Sequence, residues 1–217
     1  MKLTLIKKSL SIALVATLAT AGLFALIEPS TASALTATTS VVVTLNVTSG
    51  VSITANSPTA SMSQSLGVAA ASAVGTSTFT VNTNSATGYT LTVQATSTPA
   101  MNSTTTVNSI LDYQTGAPNS WVATSGQAYF GYSAFGTDVA TSTWGTGSSC
   151  SGSSANATST TLKYKGFTTS PFQIASRSAT TSFSGVTSTV CYAVEQNNFY
   201  IPAGTYQATI TATATAS

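Results

Sequence analysis

The chain has 217 residues, of which 42% are hydrophobic and only 5% charged, with no histidine and a formal net charge of +2. Ordinary soluble domains carry about 25% charged residues. Lys2, Lys7 and Lys8 sit at the N-terminus with Glu28 nearby, and beyond them Lys163, Lys165 and Arg177 balance Asp112, Asp138 and Glu195. This composition argues against nucleic acid as a partner, because phosphate binding needs clustered cations, and the length suits one domain with its own core.

Residues 1–34 read as a secretory signal peptide. Lys2, Lys7 and Lys8 form a positive n-region, an apolar run fills residues 10–27, and Glu28-Pro29 leads to the small-residue site Ala32-Ser33-Ala34. Cleavage is expected after Ala34, leaving residues 35–217 as one mature domain. Two alternatives stay open. The run approaches the ~18 residues of a spanning helix, so it could remain as an anchor. A pilin-type leader, with Gly22 before Glu28, would instead keep an apolar helix, here a short one.

Past residue 35, apolar side chains recur with period two rather than with the helical period. Over residues 40–48, Val41, Val43, Leu45 and Val47 share one face and Ser40, Thr44, Asn46 and Thr48 the other, with Val42 the exception. This segment would open the mature chain. It is a candidate donor strand, able to add to the sheet edge of a neighbouring subunit; the alternative is that it pairs within its own domain. Residues 78–82 point Phe79 and Val81 inward, and residues 89–96 point Tyr89, Leu91, Val93 and Ala95 inward. The turn-rich TNSATG between them predicts a hairpin.

Residues 98–127 and 140–158 lack this rhythm and read as loops at the sandwich ends or beside an edge strand. They hold or border Trp121, Tyr129, Tyr132, Phe135 and Trp144. Trp121, Tyr129, Tyr132 and Trp144 form a candidate ligand patch able to stack on sugar rings; the alternative is that they fill the core or plug its ends. In residues 160–165, Leu162 and Tyr164 alternate with Lys163 and Lys165, so both lysines are expected to face outward rather than to form an internal Lys–Asn isopeptide bond. Val190, Tyr192 and Val194 alternate with Cys191, Ala193 and Glu195, and residues 205–215 set Tyr206, Ala208, Ile210, Ala212 and Ala214 against a column of threonines and Gln207.

Strands with one apolar and one Thr/Ser face must bury the apolar faces against each other. The expected architecture is all-β: an antiparallel, Ig-like β-sandwich of roughly eight to eleven strands, preceded by the helical signal peptide. Cys150 and Cys191 are the only cysteines. In an exported chain they are expected to form a disulfide, worth about 4 kcal/mol for a loop of this length, with a pair of buried thiols as the alternative.

No chemistry-bearing constellation emerges. Histidine, the commonest general base, is absent, and Asp112, Asp138 and Glu195 are far apart in sequence. GYSAFG has Phe135 where a nucleophile elbow needs glycine. No cofactor motif or metal-ligand spacing occurs. The chain is therefore not expected to be an enzyme, nor to hold a cofactor or metal.

Two stretches carry a resemblance. FTVNTNSATGYTLTVQA (residues 79–95) and FYIPAGTYQATITATAT (residues 199–215) resemble a layout of small secreted bacterial surface β-sandwich proteins. The second is similar to the closing strand of WxL-type wall-binding domains and of fimbrial or coat subunits, where an AGTY turn enters a final Thr-alternating strand. Neither Trp121 nor Trp144 is followed by x-Leu, a departure from the WxL pattern. The resemblance implies an Ig-like domain at the cell surface, used for adhesion, coat or filament formation. The expected role is thus an exported structural protein: a coat- or fimbria-like subunit or a surface-layer component. The alternative is a monomeric adhesin or glycan-binding module. Expected partners are other surface subunits or cell-wall or host glycans, with the membrane touched only by the signal peptide before cleavage.

Overall fold

The computed structural model describes residues 37–69, 71–150 and 161–217. The signal peptide and its cleavage site lie outside the described residues. By compactness the chain divides between Asn46 and Val47. Residues 37–46 carry no helix or strand and are exposed.

The unit from Val47 to Ser217 is almost entirely β. Its strands are β1 (Val51–Ala55), β2 (Ser72–Thr83), β3 (Tyr89–Ala95), β4 (Met101–Ser103), β5 (Ser109–Asp112), β6 (Asn119–Ser120), β7 (Gln127–Gly136), β8 (Lys163–Tyr164), β9 (Phe172–Arg177), β10 (Val186–Asn197), β11 (Tyr206–Gln207) and β12 (Ile210–Ala216), with one helical turn, α1 (Thr141–Trp144). A seven-stranded sheet runs β1-β2-β10-β7-β5-β4-β11, a three-stranded sheet runs β12-β3-β9, and β6 pairs with β8. All pairings are antiparallel except β5 with β7, which is parallel.

The two larger sheets share one core. Phe79 and Val81 of β2, Phe130, Tyr132 and Ala134 of β7, and Val190, Tyr192 and Val194 of β10 meet Tyr89, Leu91, Val93 and Ala95 of β3 and Ile174 of β9. Each such large side chain removed from water contributes about 1.5–3 kcal/mol. Phe167 lies at the centre, stacked on Tyr132 at 4.1 Å and Phe130 at 5.4 Å between ring centroids.

The expected hairpin between residues 78–82 and 89–96 does not form. β2 pairs with β1 and β10, whereas β3 pairs with β12 and β9. The connection crosses from one sheet to the other, because both strands point their apolar residues into the same core from opposite sides. Gly88 makes the crossing: its φ is +85°, and a Cβ there would lie 1.9 Å from the Arg177 carbonyl oxygen. The crossing is also tied electrostatically. The Tyr89 hydroxyl donates to Asp138 Oδ2 at 2.7 Å, and Arg177 Nη1 reaches Asp138 Oδ1 at 3.2 Å. Asp138→Ala would strand the buried Tyr89 hydroxyl and is expected to cost about 2–3 kcal/mol in urea unfolding. Arg177→Ala, at a more exposed position, is expected to cost less than about 1 kcal/mol.

Candidate functional site

The loop-like residues 98–127 and 140–150 meet the edge alternative in part, since β4 and β5 extend the large sheet beyond β7. Their described parts include a third layer over the outer face of the large sheet, and this explains why β10 is buried on both faces. Val190, Tyr192 and Val194 face the core, while Cys191 and Ala193 meet Tyr113, Trp121, Leu162 and Tyr164 in a second apolar cluster. Period two holds along β10, yet from Val190 onward neither face is wet.

Trp121 organises this layer. It is 1% exposed, stacks on Tyr113 at 4.4 Å and 22°, and meets Tyr164 edge-on at 5.2 Å. Its indole N–H donates to the Glu195 carboxylate. Gly131 of β7 permits the close approach, since a Cβ there would meet Trp121 Cζ3 at 2.8 Å. Burial pushes the Tyr164 hydroxyl up to about 12. The disulfide Cys150–Cys191 fastens the loop after α1 to the outer face of β10, with a Cα–Cα distance of 5.4 Å.

The candidate ligand patch is therefore corrected. Trp121, Tyr132 and Trp144 are each 1% exposed and offer no free ring face. Trp144 plugs the inner core against Tyr132 at 5.3 Å and Phe172 at 5.8 Å. Trp121 packs on the opposite side of the sheet, so the four residues make no single surface. Tyr129 alone is only partly buried, and it lines an open cleft of about 610 Å³ with Asp112, Tyr113, Gln114, Asn119 and Val122 among its walls. Burial raises the Asp112 carboxyl above its usual range, while the Ala100 N–H, at 3.1 Å, pulls the other way.

Lys165 departs from its expected outward position. It is 3% exposed because its backbone pairs with Tyr132 of β7, which sets its side chain on the Tyr132 face, against Phe172. The Lys165 ammonium donates to the carbonyls of Thr115 and Gly116 and lies 4.5 Å from the Phe172 ring centroid. Burial lowers its pKa. Lys163 Nζ donates to Ser142 O at 3.0 Å, so neither ammonium is joined to asparagine.

The candidate donor residues Val41, Val43, Leu45 and Val47 form no strand. Among the described residues the first strand starts at Val51, and these four side chains are 74–88% exposed. The reason lies at the root of the segment. The Asn84 side chain donates to Thr48 O at 2.8 Å and accepts from Gly50 N at 2.7 Å, which fixes where the chain enters β1. Upstream of that clamp no ladder continues.

The unit from Val47 to Ser217 has two neighbouring open sheet edges. β12 ends the three-stranded sheet and β1 ends the seven-stranded sheet. They run close together without pairing. Their inward residues Val51, Ile53, Ile210, Ala212 and Ala214 pack on the core but are only partly buried. The core thus leaks to solvent along this seam. Neither edge strand contains a charge or a proline, the usual guards of an open edge.

Among the described residues, no helix is long and apolar enough to cross a membrane, and no group of three or more His, Cys, Asp or Glu could hold a metal ion. Comparison with protein-family models, with curated proteins and with solved structures found no match for this chain.

Proposed function

We propose that this protein is an exported structural subunit of the cell surface, coat- or fimbria-like, that assembles by lending residues 40–48 to the sheet edge of the next copy. The observation that carries this reading is the run Val41, Val42, Val43, Leu45 and Val47, all 74–89% exposed. A soluble monomer rarely leaves such a contiguous apolar run in water without a partner. The acceptor is the β12 edge, whose free backbone groups form a template for one more strand. Size complementarity supports this pairing. The inward column of β12 is mostly alanine, with Ala212 and Ala214 half-buried, and the donor column is valine and leucine at the same two-residue spacing. Larger donor side chains would fill what the alanines leave open. The disulfide fits an oxidising, extracellular setting.

Deleting residues 37–48 tests the reading. The variant should keep its cooperative unfolding transition and lose self-association, and a synthetic peptide of residues 37–49 should cap assembly of the intact protein at equimolar ratio. A deletion variant that still polymerises would sink the donor mechanism.

A further inference from the structure

A second feature, independent of the donor segment, is the cleft between β5, β6 and β7. We propose that it is a binding site for a neutral saccharide. Its volume of about 610 Å³ falls within the 300–1,000 Å³ of ordinary small-molecule sites. Its chemistry is selective. Tyr129 presents a partly exposed ring set edge-on to Tyr113, with centroids 6.0 Å apart at 84°. An aromatic ring of this kind takes the C–H face of a pyranose. Asn119 and Gln114 offer exposed amides, each with both donor and acceptor atoms. Asp112 contributes to the wall from β5, with its carboxylate turned to the inner face, where it accepts from the Ala100 N–H.

The lining contains no lysine or arginine, and its one carboxylate, that of Asp112, is turned away toward Ala100. An anionic sugar, a phosphate or a nucleic acid would thus find no cation to offset its charge. A neutral polyol would instead exchange hydrogen bonds with the Asn119 and Gln114 amides.

The walls are held from behind, which distinguishes this cleft from a passing surface dent. The Tyr113 hydroxyl donates to Ser120 O at 2.8 Å and accepts from Val122 N at 3.1 Å. Its ring is stacked on the buried Trp121. Asp112 stands on β5, paired in register with Phe130 of β7. Side chains supported in this way lose little freedom when a ligand arrives.

Titration of the purified protein with cellotriose, maltotriose and triacetylchitotriose tests the proposal, with trigalacturonic acid as the anionic comparison. Binding is read by calorimetry and by the emission of Trp121, which stacks on a wall residue. At least one neutral trisaccharide should bind. Tyr129→Ala and Asn119→Ala should each weaken it, the former at least tenfold, with the thermal midpoint of Asn119→Ala unchanged. The proposal is overturned if no neutral trisaccharide binds at about 10 mM, well above the millimolar floor of useful affinity. It is equally overturned if both variants bind as the parent does, or if the anionic sugar binds as tightly.

Discussion

Trp121→Ala is expected to lower the unfolding free energy by about 3–5 kcal/mol, the range for emptying a buried aromatic site. The position is unforgiving for three reasons. The indole fills the space above Gly131, where the backbone comes too close for any side chain of its own. Its ring holds Tyr113 and Tyr164 in place. Its N–H donates to Glu195, a carboxylate 1% exposed on β10. Trp121→Phe separates these contributions, since it keeps most of the stacking but withdraws the donor from a buried charge, and about 2 kcal/mol of loss is expected. Denaturant unfolding followed by tyrosine fluorescence and far-ultraviolet dichroism would measure both variants. A loss below about 1 kcal/mol for the alanine variant would mean that the third layer contributes little to the fold.

The second large effect is at the disulfide. Cys150 and Cys191 are separated by 41 positions, and closing a loop of that size constrains the unfolded chain by about 4 kcal/mol. Cys150→Ser should show most of that loss. Cys191→Ser should cost more, because Cys191 is fully buried among Leu162, Tyr164 and Ala193. A hydroxyl there must find a partner or pay for its burial, about 1–3 kcal/mol beyond the loss of the bridge. Mass spectrometry of the native protein should show a two-proton deficit relative to the reduced chain. Two thiols that alkylate without denaturant would contradict the bond. Equal stability of the two serine variants would contradict the burial argument.

The sequence was most legible where a strand faces the core on one side and water on the other. Tyr89, Leu91, Val93 and Ala95 alternate cleanly with residues that pair outward, and β3 follows that pattern residue for residue. Legibility failed where tertiary pairing decides the outcome. TNSATG has the composition of a tight turn, but composition does not tell a hairpin from a crossing between sheets. Only the pairing partners of β2 and β3 do. Residues 72–77, SAVGTS, extend β2 without apolar alternation, because their ladder to β10 supplies the order. The closing strand breaks into β11 and β12, which join different sheets, although its threonine rhythm runs on unbroken.

The third layer is the element least legible in the sequence. Alternation along Val190–Glu195 implied one dry face, and nothing in that rhythm announces that Cys191 and Ala193 will be covered as well. A signal was present in the cover itself. Trp121, Leu162 and Tyr164 are large apolar residues in polar surroundings, and they need a surface to lie on. Lys165 is buried for a different reason: its bridge to Tyr132 sets it on the inner face, against Phe172 and the Thr115 and Gly116 carbonyls, partners that no local pattern specifies. The cleft around Asp112 and Tyr129 was only partly visible. Tyr129 belonged to the expected patch, but Asp112, Gln114 and Asn119 reach it through the parallel pairing of β5 with β7 and the pairing of β6 with β8, which no local pattern specifies.

Self-assembly through the exposed leading segment is the claim on which the functional reading stands. Electron micrographs of purified residues 35–217, taken across a concentration series with light scattering on the same samples, address it most directly. Filaments or sheets that grow with concentration are the expected result. A single monomeric species at every concentration, with residues 40–48 still intact by mass, would contradict it.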